Sequence, residues 1–178
     1  MPLLNRNVNR IMNEPDINEV VVEAEKFRLK LELAKQANIP LITENFPVMN
    51  CKLSSLLFAY HVLKKWPSMV IYGVSGRVEN HEGDDAISHY WLEYQETAID
   101  LTADQYNIIE EKQLNREILR GRPFKPVSTG RIDSMQNYEL FNISHRDTYI
   151  LGLPELAEDF LHDLHASYEA LGDLTPCT

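Results

Sequence analysis

The feature that most constrains the fold is a pair of alternating segments, residues 88–94 and 98–105, separated by the short polar stretch 95–97. Alternation of apolar and polar residues on both sides of a short polar break predicts a β-hairpin. We expect a tight turn that closes Tyr94 against Thr97. The rest of the chain must then be built around an antiparallel pair of strands.

This hairpin brings a histidine and a carboxylate together. Side chains two residues apart share one face of a strand, so His89, Trp91 and Glu93 point the same way. The register sets Trp91 opposite Asp100, which makes Asp100 a diagonal neighbour of His89 on that face. The hairpin therefore predicts a His–Asp contact. Such a contact provides two members of a catalytic triad, and the nucleophile is the third.

Cys51 is the candidate nucleophile. It stands at the first position of a predicted helix, with Asn50 as the expected N-cap and Trp66-Pro67 as the end. The first turn of a helix favours a thiolate through the backbone dipoles. The chain has one other cysteine, Cys177, one residue from the C-terminus, and no CxxC pair, which excludes a thiolate zinc site and a thioredoxin motif.

The three residues suit the roles of a thiol enzyme. His89 can take the proton of Cys51 and later protonate the leaving group, and Asp100 can orient the imidazole and stabilise its cation. A single cysteine on an apolar helix is more often a small buried hydrophobe. The hairpin downstream is what favours catalysis for Cys51, because it supplies the partners.

The spacing of these motifs resembles the papain-like and transglutaminase-like cysteine enzyme superfamily. The matching residues are Cys51 at a helix start, 89–93 as His-x-Trp-x-Glu, and 99–102 as Ile-Asp-x-Thr. The segment 103–106 is similar to a tail seen in bacterial members, including toxin- and effector-type domains. The resemblance covers roughly residues 45–106 and implies a nucleophile helix packed on an antiparallel sheet, with the cysteine facing the histidine across a cleft.

Further residues are expected to support the site. The resemblance implies an amide donor six residues before the nucleophile, which is Asn45 here, and the backbone N–H of Cys51 is a second oxyanion donor. Asn50 and Gln105 are expected to brace the site, and Trp91 to form core or cleft wall with its indole N–H bonded to an acceptor. A structural turn remains the alternative for Gln105.

The order of elements predicts one α+β domain over residues 1–178. We expect a loose arm over 1–14 and a catalytic core over about 39–127. Helices are predicted from Asp16 to about Asn38 and over 51–66, 107–119 and 154–171. A strand is the alternative within the first of these, near 27–33. In the last helix, Ala157 is expected among the inward-facing residues. Strands are predicted over 69–75 and at the sheet edge over 121–127, while 39–50, 77–87 and 128–149 are predicted to be loops or irregular.

The net charge and the hydropathy of the sequence exclude some classes of binding partner. The formal net charge is −10, from 27 acidic and 17 basic residues, so nucleic acid is an unsuitable partner. The sequence has no long apolar run and no signal-peptide pattern, so we expect no membrane insertion and synthesis in the cytoplasm, with export by a signal-less route left open. His81, Asp84 and Asp85 offer metal ligands, but their spacing favours an exposed acidic loop over a metal site. The thiol chemistry calls for no cofactor.

The sequence therefore predicts a cysteine-dependent acyl-transfer enzyme acting on amide bonds of a protein or peptide. Deamidase, amidase, peptidase and transglutaminase activities remain open, with deamidase or amidase activity on protein side chains first by analogy with small bacterial members. One alternative is a non-catalytic protein-binding module that retains the fold, which Lys52 after the cysteine would suit because papain-type enzymes place an aromatic residue there. Another is metal-dependent hydrolysis using His81, His89 and Asp100.

Overall fold

In the part of the chain that the structure describes, five antiparallel strands form one central sheet. The computed structural model describes residues 14–35, 37–79 and 86–174. The strands are β1 (Ile71–Val78), β2 (Ile87–Tyr94), β3 (Thr97–Asp100), β4 (Ser128–Arg131) and β5 (Asn142–Tyr149), in the spatial order β4-β3-β2-β1-β5. The same described ranges contain five α-helices: α1 (Ile17–Ala34), α2 (Cys51–Lys65), α3 (Arg116–Gly121), α4 (Gln136–Leu140) and α5 (Glu158–Gly172). The α+β class is as predicted.

The predicted hairpin is β2 and β3, and its register is confirmed. Tyr94 pairs with Thr97 and Leu92 with Ile99, which continues to Trp91 opposite Asp100. The turn is closed by Gln95 with a φ of 53°. A positive φ at the first turn position matches the right-handed twist of the two strands, which explains why so short a connection holds this register.

The two faces of the sheet bury different clusters. On one face, Tyr90 and Leu92 of β2 join the core formed with α1, α2 and α5. On the other face, Trp91 packs with Tyr106 and Phe141 beneath the segments that follow β3. The period of two along β2 therefore divides the hairpin between a structural core and the face that carries His89.

Glycine allows this second cluster to lie directly on β1. A Cβ at Gly76 would come 2.7 Å from both the Trp91 ring and Phe141. These contacts are shorter than any side chain tolerates, so only glycine fits at this position. The aromatic residues around the site therefore pack directly against β1.

The N-terminal helix forms as predicted and ends earlier. Asp16 and Glu19 make a capping box, and the buried stripe runs from Val20 to Ala34. α1 ends at Ala34, short of the predicted Asn38, and the alternative of a strand within this segment is wrong. The stripe repeats at three and four, which only a helix can bury on one side.

Asn50 is the N-cap residue of α2, as predicted, but its side chain makes no hydrogen bond to the N–H groups of the helix. Asn50 Nδ2 donates to the Leu41 carbonyl at 3.0 Å, and its Oδ1 accepts from Ser54 Oγ at 2.7 Å. Asn50 is buried, so its amide is used to satisfy a buried carbonyl of the preceding loop instead of the helix N–H groups. Asn50 therefore ties the 41–50 loop to the start of α2.

The chain after β3 departs most from the expectations. A single helix over 107–119 is wrong: two 3-10 segments, Ala103–Asn107 and Glu111–Gln113, come before α3. The edge strand is β4, later than the predicted 121–127, because Pro123 and Pro126 cannot donate to a ladder. The irregular structure predicted over 128–149 is replaced by β4, α4 and β5, and the strand predicted over 98–105 ends at Asp100.

The C-terminal helix begins at Glu158, four residues later than predicted. Leu164 and Leu171 are buried as expected, whereas Ala157 is exposed just before the first helical turn. Within the described residues, none of the helices combines the length and apolarity that a membrane-crossing helix needs.

Candidate functional site

The His–Asp contact that the hairpin predicts is present in the structure. His89 Nε2 lies 2.6 Å from Asp100 Oδ2, and both side chains are almost completely buried. A bond this short between an imidazole N–H and a carboxylate is a charge-assisted one. It leaves Nδ1 as the ring nitrogen that can serve other partners.

Two further donors hold the Asp100 carboxylate. The backbone N–H of Thr102 donates to Oδ1 at 2.9 Å, and Asn137 Nδ2 donates to Oδ2 at 2.7 Å. Burial alone would raise the pKa of Asp100, but the charge and hydrogen bond of His89, with these two donors, lower it below its ordinary value. Asp100 is therefore held as a carboxylate in a fixed orientation.

Cys51 and His89 lie close enough for each to shift the pKa of the other. Burial would raise the pKa of Cys51, but the hydrogen bond and positive charge of His89 and the backbone N–H of Lys52 lower it. The negative charge of Asp100 opposes this shift. The net effect favours a thiolate at the start of α2, where unpaired backbone N–H groups support negative charge.

The same contacts favour the cationic form of His89. Burial lowers the pKa of this imidazole, but the charge and hydrogen bond of Asp100, and then those of Cys51, raise it above its ordinary value. The pKa of Cys51 falls while that of His89 rises, so the pair is directed toward thiolate and imidazolium. Such a pair supplies a nucleophile and a proton donor.

Gln105 connects His89 to the loop that precedes Cys51. Its Nε2 lies 3.0 Å from His89 Nδ1, and its Oε1 accepts from the backbone N–H of Met49 at 3.3 Å. Gln105 follows β3 within the first 3-10 segment and is buried. One amide therefore joins the three segments that meet at the site.

Three aromatic rings enclose the imidazole. The ring centroids of Trp91, Tyr106 and Phe141 lie 5.8, 5.3 and 5.5 Å from that of His89, with Tyr106 edge-on. Trp91 is buried, as predicted, and its Nε1 donates to Tyr138 Oη at 2.9 Å. This enclosure excludes water from the His–Asp pair, which strengthens its electrostatic attraction.

Asn137 and Tyr138 were not found by the sequence analysis. Both lie on α4, inside a range predicted to be irregular, and they reach Asp100 and the indole of Trp91 respectively. A helix of five residues shows no periodicity that a sequence pattern could detect. The one available signal was a run of four residues, 136–139, between the apolar Met135 and Leu140, which indicates partial burial but no partner.

The structure does not bring Asn45 into this cluster. Asn45 is exposed and lines a groove formed with Val48 and residues 108–113, and Cys51, His89 and Asp100 do not line that groove. In the described part of the chain, no hydrogen bond joins the Asn45 side chain to the cluster. Gln105 supplies the side-chain amide nearest to His89 instead.

Three of the ligands proposed for a metal site belong to a segment that the structure does not describe. His81, Asp84 and Asp85 lie outside the described residues. Within 14–35, 37–79 and 86–174, no group of three or more His, Cys, Asp or Glu side chains is arranged to hold a metal ion.

Comparisons with protein-family models, curated proteins and solved structures find no match to this chain. The assignment of chemistry therefore depends on the geometry around Cys51.

Proposed function

We propose that this protein is a cysteine-dependent acyl-transfer enzyme with a papain-like or transglutaminase-like arrangement of Cys51, His89 and Asp100. The observation that carries the proposal is one buried imidazole that contacts the Asp100 carboxylate at 2.6 Å and lowers the pKa of the Cys51 thiol at the start of α2. The paired pKa shifts of Cys51 and His89 add support, because a buried cysteine with a structural role has its pKa raised, not lowered.

The proposed reaction has two steps. The Cys51 thiolate attacks an amide carbonyl carbon, a C–S bond forms, and the carbonyl electrons move to oxygen. When the carbonyl re-forms, the C–N bond breaks and His89 gives its proton to the departing ammonia or amine. Water then attacks the thioester as His89 accepts a proton from it, which releases a carboxylic acid and restores the thiolate.

Two N–H donors are placed to stabilise the oxyanion. The backbone N–H of Cys51 is in the first turn of α2, where it has no acceptor within the helix. Gln105 Nε2 can donate to His89 Nδ1 only while Nδ1 carries no proton, so the imidazolium form leaves this amide free to donate to a substrate oxygen. In this proposal Gln105, and not Asn45, is the side-chain donor to the oxyanion.

The substrate proposed is a side-chain amide of a protein or peptide. Deamidation requires only water as the acceptor, whereas an amine acceptor in the second step would make the reaction a transglutamination. The same intermediate serves both reactions, so the acceptor is a property of the second step alone.

The acyl-enzyme is the species to test. We expect p-nitrophenyl acetate to give a burst of nitrophenol and to acetylate the peptide that contains Cys51, as identified by mass spectrometry. Cys51→Ala should abolish the burst, and His89→Ala should slow it to the rate of a free thiol. Acetylation of Cys51 no faster than that of Cys177 would overturn the proposal and favour a non-catalytic binding module.

A further inference from the structure

We propose that Arg28 is a positioning residue for the reaction at Cys51, because it holds Gln105 where the amide of that residue can donate to the oxyanion. Arg28 belongs to α1 and is 3% exposed, within a buried stripe that is otherwise apolar. This inference rests on the proposed function and adds to it a residue on which the chemistry depends from outside the site.

The guanidinium of Arg28 binds both ends of the segment between Asp100 and Gln105. Its Nη1 donates to the carbonyl of Leu101, directly after Asp100, at 2.6 Å. Nη1 and Nη2 also donate to Asp104, directly before Gln105, one to each carboxylate oxygen at 2.8 Å. A bidentate pair of this kind fixes the orientation of its partner as well as its distance. The segment that ends at Gln105 is therefore fixed to α1.

The same guanidinium also contacts the loop that precedes Cys51. Its Cζ lies 4.6 Å from the ring centroid of Phe46, which is buried in that loop. A cation over the face of an aromatic ring is attracted by the negative charge of that face. Met49 of the same loop donates its backbone N–H to Gln105 Oε1. Arg28 therefore fixes both segments that determine where the Gln105 amide points.

Stability alone does not account for an arginine at this position. A buried ion pair adds little stability over apolar residues of the same volume, because both charges must leave water. What Arg28 supplies, and an apolar side chain cannot, is a rigid set of donors. These donors reach acceptors that are 73 to 98 residues away in the sequence, on Leu101, Asp104 and Pro126.

The test compares a reaction of Cys51 that forms an oxyanion with one that does not. Acylation by p-nitrophenyl acetate passes through a tetrahedral oxyanion, whereas alkylation by iodoacetamide is a direct displacement at carbon. Loss of one oxyanion donor slows a reaction of the first kind by about 10²–10³. A misplaced Gln105 should therefore slow acylation and leave alkylation unchanged, whereas a general loss of folded protein would change both rates.

We expect Arg28→Lys to slow acylation by at least about tenfold, which is part of the effect of losing the donor. Lysine keeps the positive charge beside Asp104 but cannot make the two parallel hydrogen bonds of a guanidinium. The rate and the pH midpoint of alkylation should not change. In a Gln105→Ala background, Arg28→Lys should have no further effect on acylation, because both changes act through the same amide.

The matched control is Val20→Ala, which alters the same buried face of α1 two turns away and should keep both rates. Asp104→Asn, which weakens the same ion pair from the other side, is the second variant if Arg28→Lys lowers the yield of folded protein. The inference would be overturned by acylation that is not slowed, by equal slowing of both reactions, or by an undiminished effect of Arg28→Lys in the Gln105→Ala background.

A second measurement separates this inference from the proposed function. If Cys51 is unreactive toward both reagents, the proposed function fails, and the placement of Gln105 is then followed by NMR of its side-chain amide, assigned by its loss in Gln105→Ala. Arg28→Lys should shift this signal and speed its hydrogen exchange, and Val20→Ala should do neither. An unchanged Gln105 signal in Arg28→Lys would overturn the positioning role of Arg28 on its own.

Discussion

Asn137→Ala measures how much the stability and the thiol reactivity of the site depend on Asn137, a residue outside the Cys51 and His89–Asp100 motifs. Asn137 donates a 2.7 Å hydrogen bond to the carboxylate of Asp100, and both side chains are buried. A hydrogen bond to a charged group contributes about 1.5–3 kcal/mol to stability. For a chain of this size each kcal/mol corresponds to a shift of about 2–4 °C in Tm, so we expect Tm to fall by about 3–12 °C.

The assay is thermal unfolding at pH 7 together with the rate of Cys51 alkylation. Asn142→Ala is the control, because Asn142 is exposed at the start of β5 and, among the described residues, makes no side-chain hydrogen bond to Cys51, His89 or Asp100. Alkylation should also slow, since loss of a donor raises the pKa of Asp100 and weakens its support for the imidazolium.

Asn137→Asp separates the hydrogen bond from the void that alanine leaves. Aspartate fills the same volume but places a second carboxylate beside Asp100, so we expect a larger loss of stability than with alanine. If aspartate restores stability, the effect of alanine is one of packing. If Asn137→Ala changes neither Tm nor the alkylation rate, the account of Asp100 as a residue oriented by α4 is wrong.

Three further variants test the frame around the site by urea unfolding. Gly76→Ala should lower the free energy of unfolding by about 1–3 kcal/mol through overpacking, whereas Gly130→Ala, whose nearest atoms would be 3.8 Å away, should have little effect. Arg28→Leu should cost about 3–5 kcal/mol because it strands the carboxylate of Asp104, its partner at 2.8 Å, and adding Asp104→Asn should recover part of the loss. Asp100→Asn should destabilise the protein most near neutral pH. The pKa of Asp100 is lower in the folded protein than its value of about 3.9 in the unfolded chain, so the carboxylate stabilises the fold above pH 4, and this stability is lost as the pH falls through the folded pKa. The difference in stability from wild type should therefore shrink below pH 4, and a difference that does not depend on pH would contradict this.

The parts of the site that could be predicted are those fixed by local periodicity. A period of two and a short turn determine the register of Tyr94 with Thr97, and this register alone brings Asp100 to His89. The start of α2 followed from the spacing of its apolar residues. These features depend on contacts between residues close in sequence.

The parts that could not be predicted depend on distant contacts. β5 carries mostly exposed residues along its length, so its sequence lacks the alternation of a half-buried strand. Asn137 acquires its role only because α4 packs over Asp100. Asn50 is a strong N-cap residue by type, yet a buried carbonyl from Leu41 uses its side chain.

The central claim is that Cys51 is a thiolate because His89 is beside it, and the pH dependence of Cys51 alkylation by iodoacetamide tests it most directly. The measurement uses the Cys177→Ser background, so that Cys51 is the one thiol in the chain. We predict a rate that remains high well below the ordinary thiol pKa of about 8.5, and a midpoint that returns toward that value in His89→Ala. A midpoint near 8.5 in both proteins would contradict the account.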